Sequence, residues 1–218
     1  SYELASGIQT IQYQINTLMT TSGQSPFVTL FLHLDKDDPY IKENAMIIEE
    51  VLKQRIKGIK DEKREFVTPV YPKLVYVLDE FNNLTGGDYD YLTELAVKCS
   101  INRTYPDYIS AKKMRENYKG YVFSPMGSRN FLSPYKDSNG NYKWEGRFNQ
   151  GVVSINLPQV ALAADKDENR FFEELDRRLE ICFEALMCRH YALLGTTSDI
   201  SPVHWQYSAI SRLAKGEK

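Results

Sequence analysis

Two short apolar runs, each set between helix-patterned segments, constrain this chain more than any other feature. Phe27-Val28-Thr29-Leu30-Phe31-Leu32-His33-Leu34 and Lys73-Leu74-Val75-Tyr76-Val77-Leu78 are rich in β-formers and barely alternate. Strands of that texture suit a sheet covered on both faces, as parallel sheets are. Ahead of the first run, Leu4, Ile8, Ile11, Ile15 and Leu18 recur at three- and four-residue steps, which predicts an amphipathic helix from Leu4 to Met19. The small polar segment Thr20 to Pro26 stops it. Between the runs, Pro39 opens a second helix whose stripe is Ile41, Ala45, Ile48, Leu52, Ile56 and Ile59. Lys60 to Glu65 reads as a solvated connection, Asn83 to Asp88 as a turn and Tyr89 to Asn102 as a third helix. Helix, strand, helix, strand, helix is the order of an α/β fold, with parallel strands joined by helical crossovers.

From Tyr105 the pattern changes. Tyr121-Val122-Phe123 is expected as a short strand, and Ser124 to Pro134, bracketed by prolines, as a shaped loop. Asn139-Gly140 is a strong hairpin signal. Gly151 to Leu157 is expected as a further strand ended by Pro158, and Phe171 to Leu194 as a long helix capped by Gly195. Its apolar face would be Leu175, Leu179, Cys182, Leu186 and Met187. The tail, Lys215-Gly216-Glu217-Lys218, shows no packing pattern and reads as the cut end of a longer polypeptide. No internal repeat or low-complexity tract interrupts the chain.

Composition narrows the function. With 27 basic and 29 acidic residues the net charge is −2, so no global field favours nucleic acid or an anionic membrane. No apolar run approaches the ~20 residues a membrane helix needs. Ser1-Tyr2-Glu3-Leu4 lacks the basic and apolar regions of a signal peptide. Three cysteines, an odd number in a chain long enough to bury a core, point to reduced thiols and a cytoplasmic setting. Cys99, Cys182 and Cys188 are expected to serve packing rather than redox work. His33, His190 and His204 have no ligand spacing, which argues for packing histidines and against a metal site in this chain.

Phosphate motifs rich in glycine are absent. Two small-residue loops, Thr20 to Ser25 and Gly195 to Ser201, offer hydroxyls and N–H groups that suit either an anion or ordinary caps and turns. Met126-Gly127-Ser128-Arg129 half resembles a nucleophile elbow, but position 130 is Asn130 where the elbow needs glycine.

The longer strings are more specific. Met126-Gly127-Ser128-Arg129-Asn130-Phe131-Leu132-Ser133 and Gly146-Arg147-Phe148-Asn149-Gln150-Gly151-Val152-Val153-Ser154-Ile155-Asn156-Leu157-Pro158 resemble the core of anaerobic (class III) ribonucleoside-triphosphate reductases. Gln12 to Leu18 with Gly23 to Thr29, Tyr105 to Lys113, Gly195 to Pro202 and His204-Trp205-Gln206 extend the likeness over essentially the whole chain. The resemblance implies a glycyl-radical enzyme on a ten-stranded α/β barrel of two parallel half-sheets, with 1–218 as one partial barrel domain. It implies a finger loop whose tip cysteine, as a thiyl radical, takes the ribose 3′-hydrogen; Ser128 stands at that position here. It also implies an asparagine that positions and polarises the ribose, matched by Asn149, 21 residues further on. The parent would act on ribonucleoside triphosphates as a cytoplasmic homodimer. A separate S-adenosylmethionine/iron–sulfur activase would generate its glycyl radical.

The departures are as informative. A serine O–H bond is far stronger than a thiol S–H bond, so radical relay through Ser128 should fail on bond energy. The glycyl-radical motif, the cysteine-ligated structural zinc, the effector region, any ATP-cone domain and the second active-site cysteine are not in this sequence. The chain is therefore expected to be an internal fragment of roughly a third of such an enzyme, inactive alone and with no cofactor of its own. The rivals are a non-catalytic nucleotide-binding module, a piece of another glycyl-radical enzyme, and a folded fragment that binds nothing.

Overall fold

A computed structural model describes residues 1–19, 21, 23, 25–83, 85–126, 131–132, 134–137, 139–144, 151–207 and 212–218. The chain divides into two compact units, Ser1–Phe131 and Leu132–Lys218. Each is described by itself.

The first unit opens with helix α1 (Tyr2–Thr17), capped by the Ser1 hydroxyl, which accepts from the Leu4 N–H at 3.3 Å. Strand β1 (Thr29–Leu32) follows, then helix α2 (Ile41–Lys57), which turns Ala45, Ile48, Val51 and Leu52 inward. Gly58 ends α2 at φ 83, and an added Cβ there would lie 2.5 Å from the Val67 carbonyl oxygen. The close approach comes from a small antiparallel pair, β2 (Ile59–Lys60) with β3 (Phe66–Val67). The charged segment expected as a solvated connection is the exposed turn of this hairpin. Asp61 holds that turn by accepting from the Lys63 and Glu65 N–H groups, both at 2.9 Å.

Strand β4 (Lys73–Leu78), short helix α3 (Glu80–Asn83), helix α4 (Asp90–Arg103), strand β5 (Asp107–Ser110) and helix α5 (Ala111–Asn117) complete the unit. The strands form a parallel sheet in the order β1-β4-β5, with Phe31 opposite Val75 and Val75 opposite Asp107. This is the α/β class expected from the two apolar runs; β5 and α5 were not anticipated. Leu32, Leu74 and Tyr76 from one face of the sheet pack with Leu52 of α2 and Leu92, Ala96 and Cys99 of α4 in a single core. Arg55 is wholly buried at the end of α2 and donates to the carbonyls of Pro69 and Pro72, fixing the chain that enters β4. Tyr121–Phe123 forms no strand; Phe123 turns inward instead.

The second unit begins with the hairpin β6 (Tyr135–Lys136) and β7 (Tyr142–Lys143). Gly140 takes φ 81 in its turn, as Asn-Gly predicts, and the Asp137 carboxylate accepts from the Asn139 and Asn141 N–H groups at 2.9 Å. The strand expected over Gly151–Leu157 is corrected. Residues 151–156 join no ladder, and Leu157–Ala164 is helix α6. Asn156 caps it by accepting from the Gln159 N–H at 3.1 Å, and Pro158 sits in the first turn, where a missing N–H costs nothing. Pro158 thus starts a helix rather than ending a strand. Helix α7 (Glu168–Leu193) packs along α6, and Gly195 follows at φ 82.

A 3₁₀ turn (Ser198–Ile200) and helix α8 (Pro202–Trp205) come last. The tail does pack. Ser198 donates through its N–H to the Glu217 carbonyl at 2.7 Å and through its hydroxyl to the Ala214 carbonyl at 2.6 Å. The Leu213 N–H donates to the Trp205 carbonyl at 2.9 Å. Among the described residues no helix is long and apolar enough to cross a membrane.

Candidate functional site

In a parallel sheet the carboxyl ends of the strands gather polar side chains beside the helix starts, and ligands are usually met there. Here His33 follows β1, Asp79 follows β4, and Ser110 ends β5 and caps α5 by accepting from the Lys113 N–H at 3.3 Å. Asp79 is the best fixed. Its side chain is 5% exposed, and Arg115 of α5 grips both oxygens, Nη1 to Oδ1 at 3.0 Å and Nη2 to Oδ2 at 2.5 Å. The Glu80 N–H adds a third donor at 2.8 Å. Behind it, Asn82 accepts from the Asp79 N–H and donates to the Val77 carbonyl, at 2.8 and 3.0 Å. The Thr93 hydroxyl donates to the Asn82 carbonyl and meets the Tyr76 hydroxyl at 3.0 Å. Tyr76, Thr93, Asn82, Asp79 and Arg115 therefore make one connected network between α4, the end of β4 and α5.

The electrostatics follow the packing. Burial acts to raise the Asp79 pKa, but the Arg115 and Glu80 hydrogen bonds and the charges of Arg115 and His33 outweigh it, holding the carboxyl below its ordinary value. Burial lowers the pKa of His33, with the neighbouring Asp35 and Asp79 opposing and Arg115 assisting, and its buried Nε2 meets no hydrogen-bond partner among the described residues. Burial raises the Tyr76 hydroxyl to about 12. The sheet face turned away from the core carries Phe31, Val75, Val77 and Ile109 by alternation, with a Lys73–Asp107 pair at 3.2 Å joining β4 to β5.

Ser128 and Asn149 both lie outside the described residues, together with the rest of 127–130 and 145–150. Their flanks are described. Tyr118, Phe123 and Phe131 meet as a ring cluster at the two ends of the Ser128 segment. Beyond Asn149, Gly151 lies so close to Arg189 of α7 that an added Cβ would stand 2.7 Å from its Nη1. The same Nη1 donates to the Val152 carbonyl at 3.4 Å.

The small-residue loop at Gly195 to Ser201 serves as caps and turns: Thr196 donates to the Leu193 carbonyl at 2.8 Å, and the Ser198 hydroxyl is spent on the tail. The other such loop is partly outside the described residues. Burial raises the Cys99 thiol to about 11, an inert packing cysteine as expected. Cys182 is half-buried and Cys188 is exposed. Among the described residues no three His, Cys, Asp or Glu side chains gather as a metal-ion site. Sequence reading passed over Asp79 and Arg115 because a single acid and a single base 36 residues apart carry no local signature. The usable signal was position: Asp79 stands directly after the most buried strand.

Comparison with known proteins agrees with the motif strings. The family model for anaerobic ribonucleoside-triphosphate reductase matches residues 1–218. The enzyme of that name from Enterobacteria phage T4 is 41% identical over 207 residues, 92% of this chain and 33% of the relative. Those from Escherichia coli and Haemophilus influenzae are each 36% identical, over 95% and 99% of this chain and 28% and 29% of their own lengths. The chain therefore spans about a third of the relatives it matches. With the family model matched from end to end, the chain belongs to the anaerobic ribonucleoside-triphosphate reductase family.

Proposed function

We propose that this chain is part of the barrel in which a ribonucleoside-triphosphate reductase converts ribonucleotides to deoxyribonucleotides by glycyl and thiyl radical chemistry. The observation that carries the reading is the family match over all 218 residues, which includes the Met126–Ser133 and Gly146–Pro158 strings. The three-stranded parallel sheet, with its polar network at the carboxyl edge, supports it. In this reading Ser128 marks the thiyl position and Asn149 orients the ribose. The glycyl radical, when present in the parent, supplies the oxidising equivalent that creates the abstracting group. In this reading the glycyl radical and a structural zinc belong to the rest of the parent. The remaining partners are the nucleotide, an activating enzyme and a second subunit.

What this chain's own residues contribute is placement. Arg115 and Asp79 fix α5 on the end of β4. Reaction rates depend on holding reacting atoms within a few tenths of an ångström, and side chains on rigid elements do that best. The abstracting step itself needs a weak X–H bond at residue 128, and a serine hydroxyl does not provide one.

The full-length parent, activated anaerobically and supplied with a ribonucleoside triphosphate, is expected to form no deoxynucleotide with Ser128 and to form it with Ser128→Cys. Turnover with Ser128 in place would refute the assigned role. So would failure of Ser128→Cys in a preparation whose glycyl radical is visible by electron paramagnetic resonance.

A further inference from the structure

A cavity of about 320 Å³ lies in the first unit between α1, β1, α2 and the start of β4. Ile8, Leu30, Ile48, Val51 and Leu74 wall it with hydrocarbon. Ile11 of α1 and Ile47 of α2 also line it and are 48% and 42% exposed, so it opens to solvent between the two helices. An apolar cavity of ~150 Å³ holds benzene, so this one has room for a ring and a substituent. A hydrocarbon lining with a few polar groups is the ordinary make-up of a small-molecule site.

Three polar side chains share that lining, and two are already engaged. The Gln12 amide nitrogen donates to the Gln54 carbonyl at 3.4 Å, and the Asn44 amide nitrogen donates to Asp38 Oδ2 at 2.5 Å. His33 differs. Its Nε2 is buried and meets no hydrogen-bond partner among the described residues. A buried nitrogen left unpaired costs free energy, and native structures seldom keep one so. Burial holds the His33 pKa below the ordinary 6.5, so the ring is neutral at pH 7. No lysine or arginine lines the cavity, and the Asp38 carboxylate stands beside Asn44. A phosphate or carboxylate bound there would lose its water without gaining an opposite charge. The chemistry therefore disfavours an anion, and with it the phosphates of a nucleotide.

We infer that this cavity is a binding site for a small uncharged molecule, mostly hydrocarbon and bearing one hydroxyl, whose body packs among Ile8, Leu30, Ile48 and Val51 and whose hydroxyl meets His33 Nε2. A hydroxyl suits the position because it both donates and accepts, so it satisfies Nε2 in either tautomer of the ring. The hydrocarbon body supplies most of the affinity through the area it buries, and the one hydrogen bond fixes its orientation. The site stands on the cavity and the unpaired nitrogen, and it holds whether or not the reductase reading does.

The test titrates the whole 218-residue chain with para-ethylphenol, ethylbenzene and para-ethylbenzoate, and reads the imidazole nitrogen resonances of His33, His190 and His204 by nuclear magnetic resonance. The phenol is expected to saturate the chain and to shift His33 Nε2 while the other two rings stay still. Ethylbenzene should bind about fivefold more weakly, the value of one neutral hydrogen bond. The benzoate should bind at least about tenfold more weakly than the phenol, because its charge is left unpaired. His33→Leu should bring the phenol and ethylbenzene to equal affinity. Ile47→Trp, at an exposed position that tolerates a larger side chain, should close the mouth and abolish the binding of both. Absence of saturation overturns the site, as does a shift at His190 or His204 in place of His33. Benzoate binding as tight as that of the phenol overturns it too, as does undiminished binding to Ile47→Trp or an unchanged preference in His33→Leu. Binding by this chain that is lost in the full-length parent is equally fatal, since the parent's own polypeptide then fills the cavity. Where a variant fails to fold, the His33 resonance of the unsubstituted chain decides.

Discussion

In Ser1–Phe131, Leu52, Leu74, Leu92 and Ala96 are wholly inaccessible, whereas the 26-residue helix α7 in Leu132–Lys218 buries no residue. The contrast is not one of composition. α7 carries Phe172, Leu179, Ile181, Phe183, Tyr191 and Leu193, all exposed by more than 40%. The difference is geometric. A sheet offers a broad surface, and α2 and α4 both lay their stripes on it around Leu74 and Tyr76. In the second unit the described element packed along α7 is α6, eight residues against 26, and the six side chains just named stay exposed. A single domain of this size usually buries its large side chains. A piece of a larger barrel need not, and the lengths of the relatives agree with that reading.

The largest effect that would break this comparison is a core truncation. Leu52→Ala is expected to lower the unfolding free energy by about 3 kcal/mol, since a fully enclosed leucine leaves a cavity its neighbours cannot fill. Leu179→Ala on α7 should cost less than about 0.5 kcal/mol, as surface truncations do. Urea unfolding followed by hydrogen exchange measures them, in β4 for Leu52→Ala and in α7 for Leu179→Ala. Equal losses would mean that Leu179 is as enclosed as Leu52, and the contrast would fall.

Next in size is the polar network at the end of β4. Asp79→Asn keeps the shape but removes the charge that Arg115 grips, and about 1–2 kcal/mol is expected for a charged hydrogen-bonded pair. Arg115 is 39% exposed and therefore screened by solvent, which favours the low end of that range. The pH dependence has a definite sign. The folded carboxyl titrates below its ordinary value of 3.8, so its contribution is complete above that value and is lost as pH falls through the lowered one. His33 adds a second slope. Its folded pKa lies below the ordinary 6.5, so the unfolded chain takes up a proton that the folded chain refuses, and stability declines as pH drops below 6.5. His33→Gln should flatten the slope between neutrality and pH 5 while leaving the lower one. An unchanged profile in a pH series of urea midpoints would remove His33 from the account.

These two regions also differ in how legible they were. β1, β4, α2 and α4 follow from pattern because each buries a continuous run or stripe that no other structure satisfies. β5 escaped notice because Asp107-Tyr108-Ile109-Ser110 has four residues of alternating exposure and becomes a strand through its register with β4. In the second unit Gly151–Leu157 has strand-like residues, yet Asn156 and Pro158 act as a helix start, and local capping outweighed propensity. The Asp79–Arg115 contact joins elements 36 residues apart, which no window of sequence reveals. The Ser128 and Asn149 assignments came from motif strings alone, and pattern reading would have left both unremarked.

The smallest expected effect is the sharpest test of the exposed helix. Phe183 is 64% exposed near the middle of α7, and Phe183→Ser should move the unfolding free energy by less than about 0.5 kcal/mol. Trp144 and Trp205 both lie in this unit, so their fluorescence reports its unfolding separately from the sheet. The same substitution should visibly reduce binding of the dye 8-anilinonaphthalene-1-sulfonate, which reads contiguous apolar surface rather than stability. A large loss of stability would show that Phe183 already packs in solution and that α7 is covered. Unchanged dye binding would show that its apolar residues stand apart rather than forming a face. Silent stability with diminished dye is the combination that distinguishes a helix awaiting cover from one that is merely loosely packed.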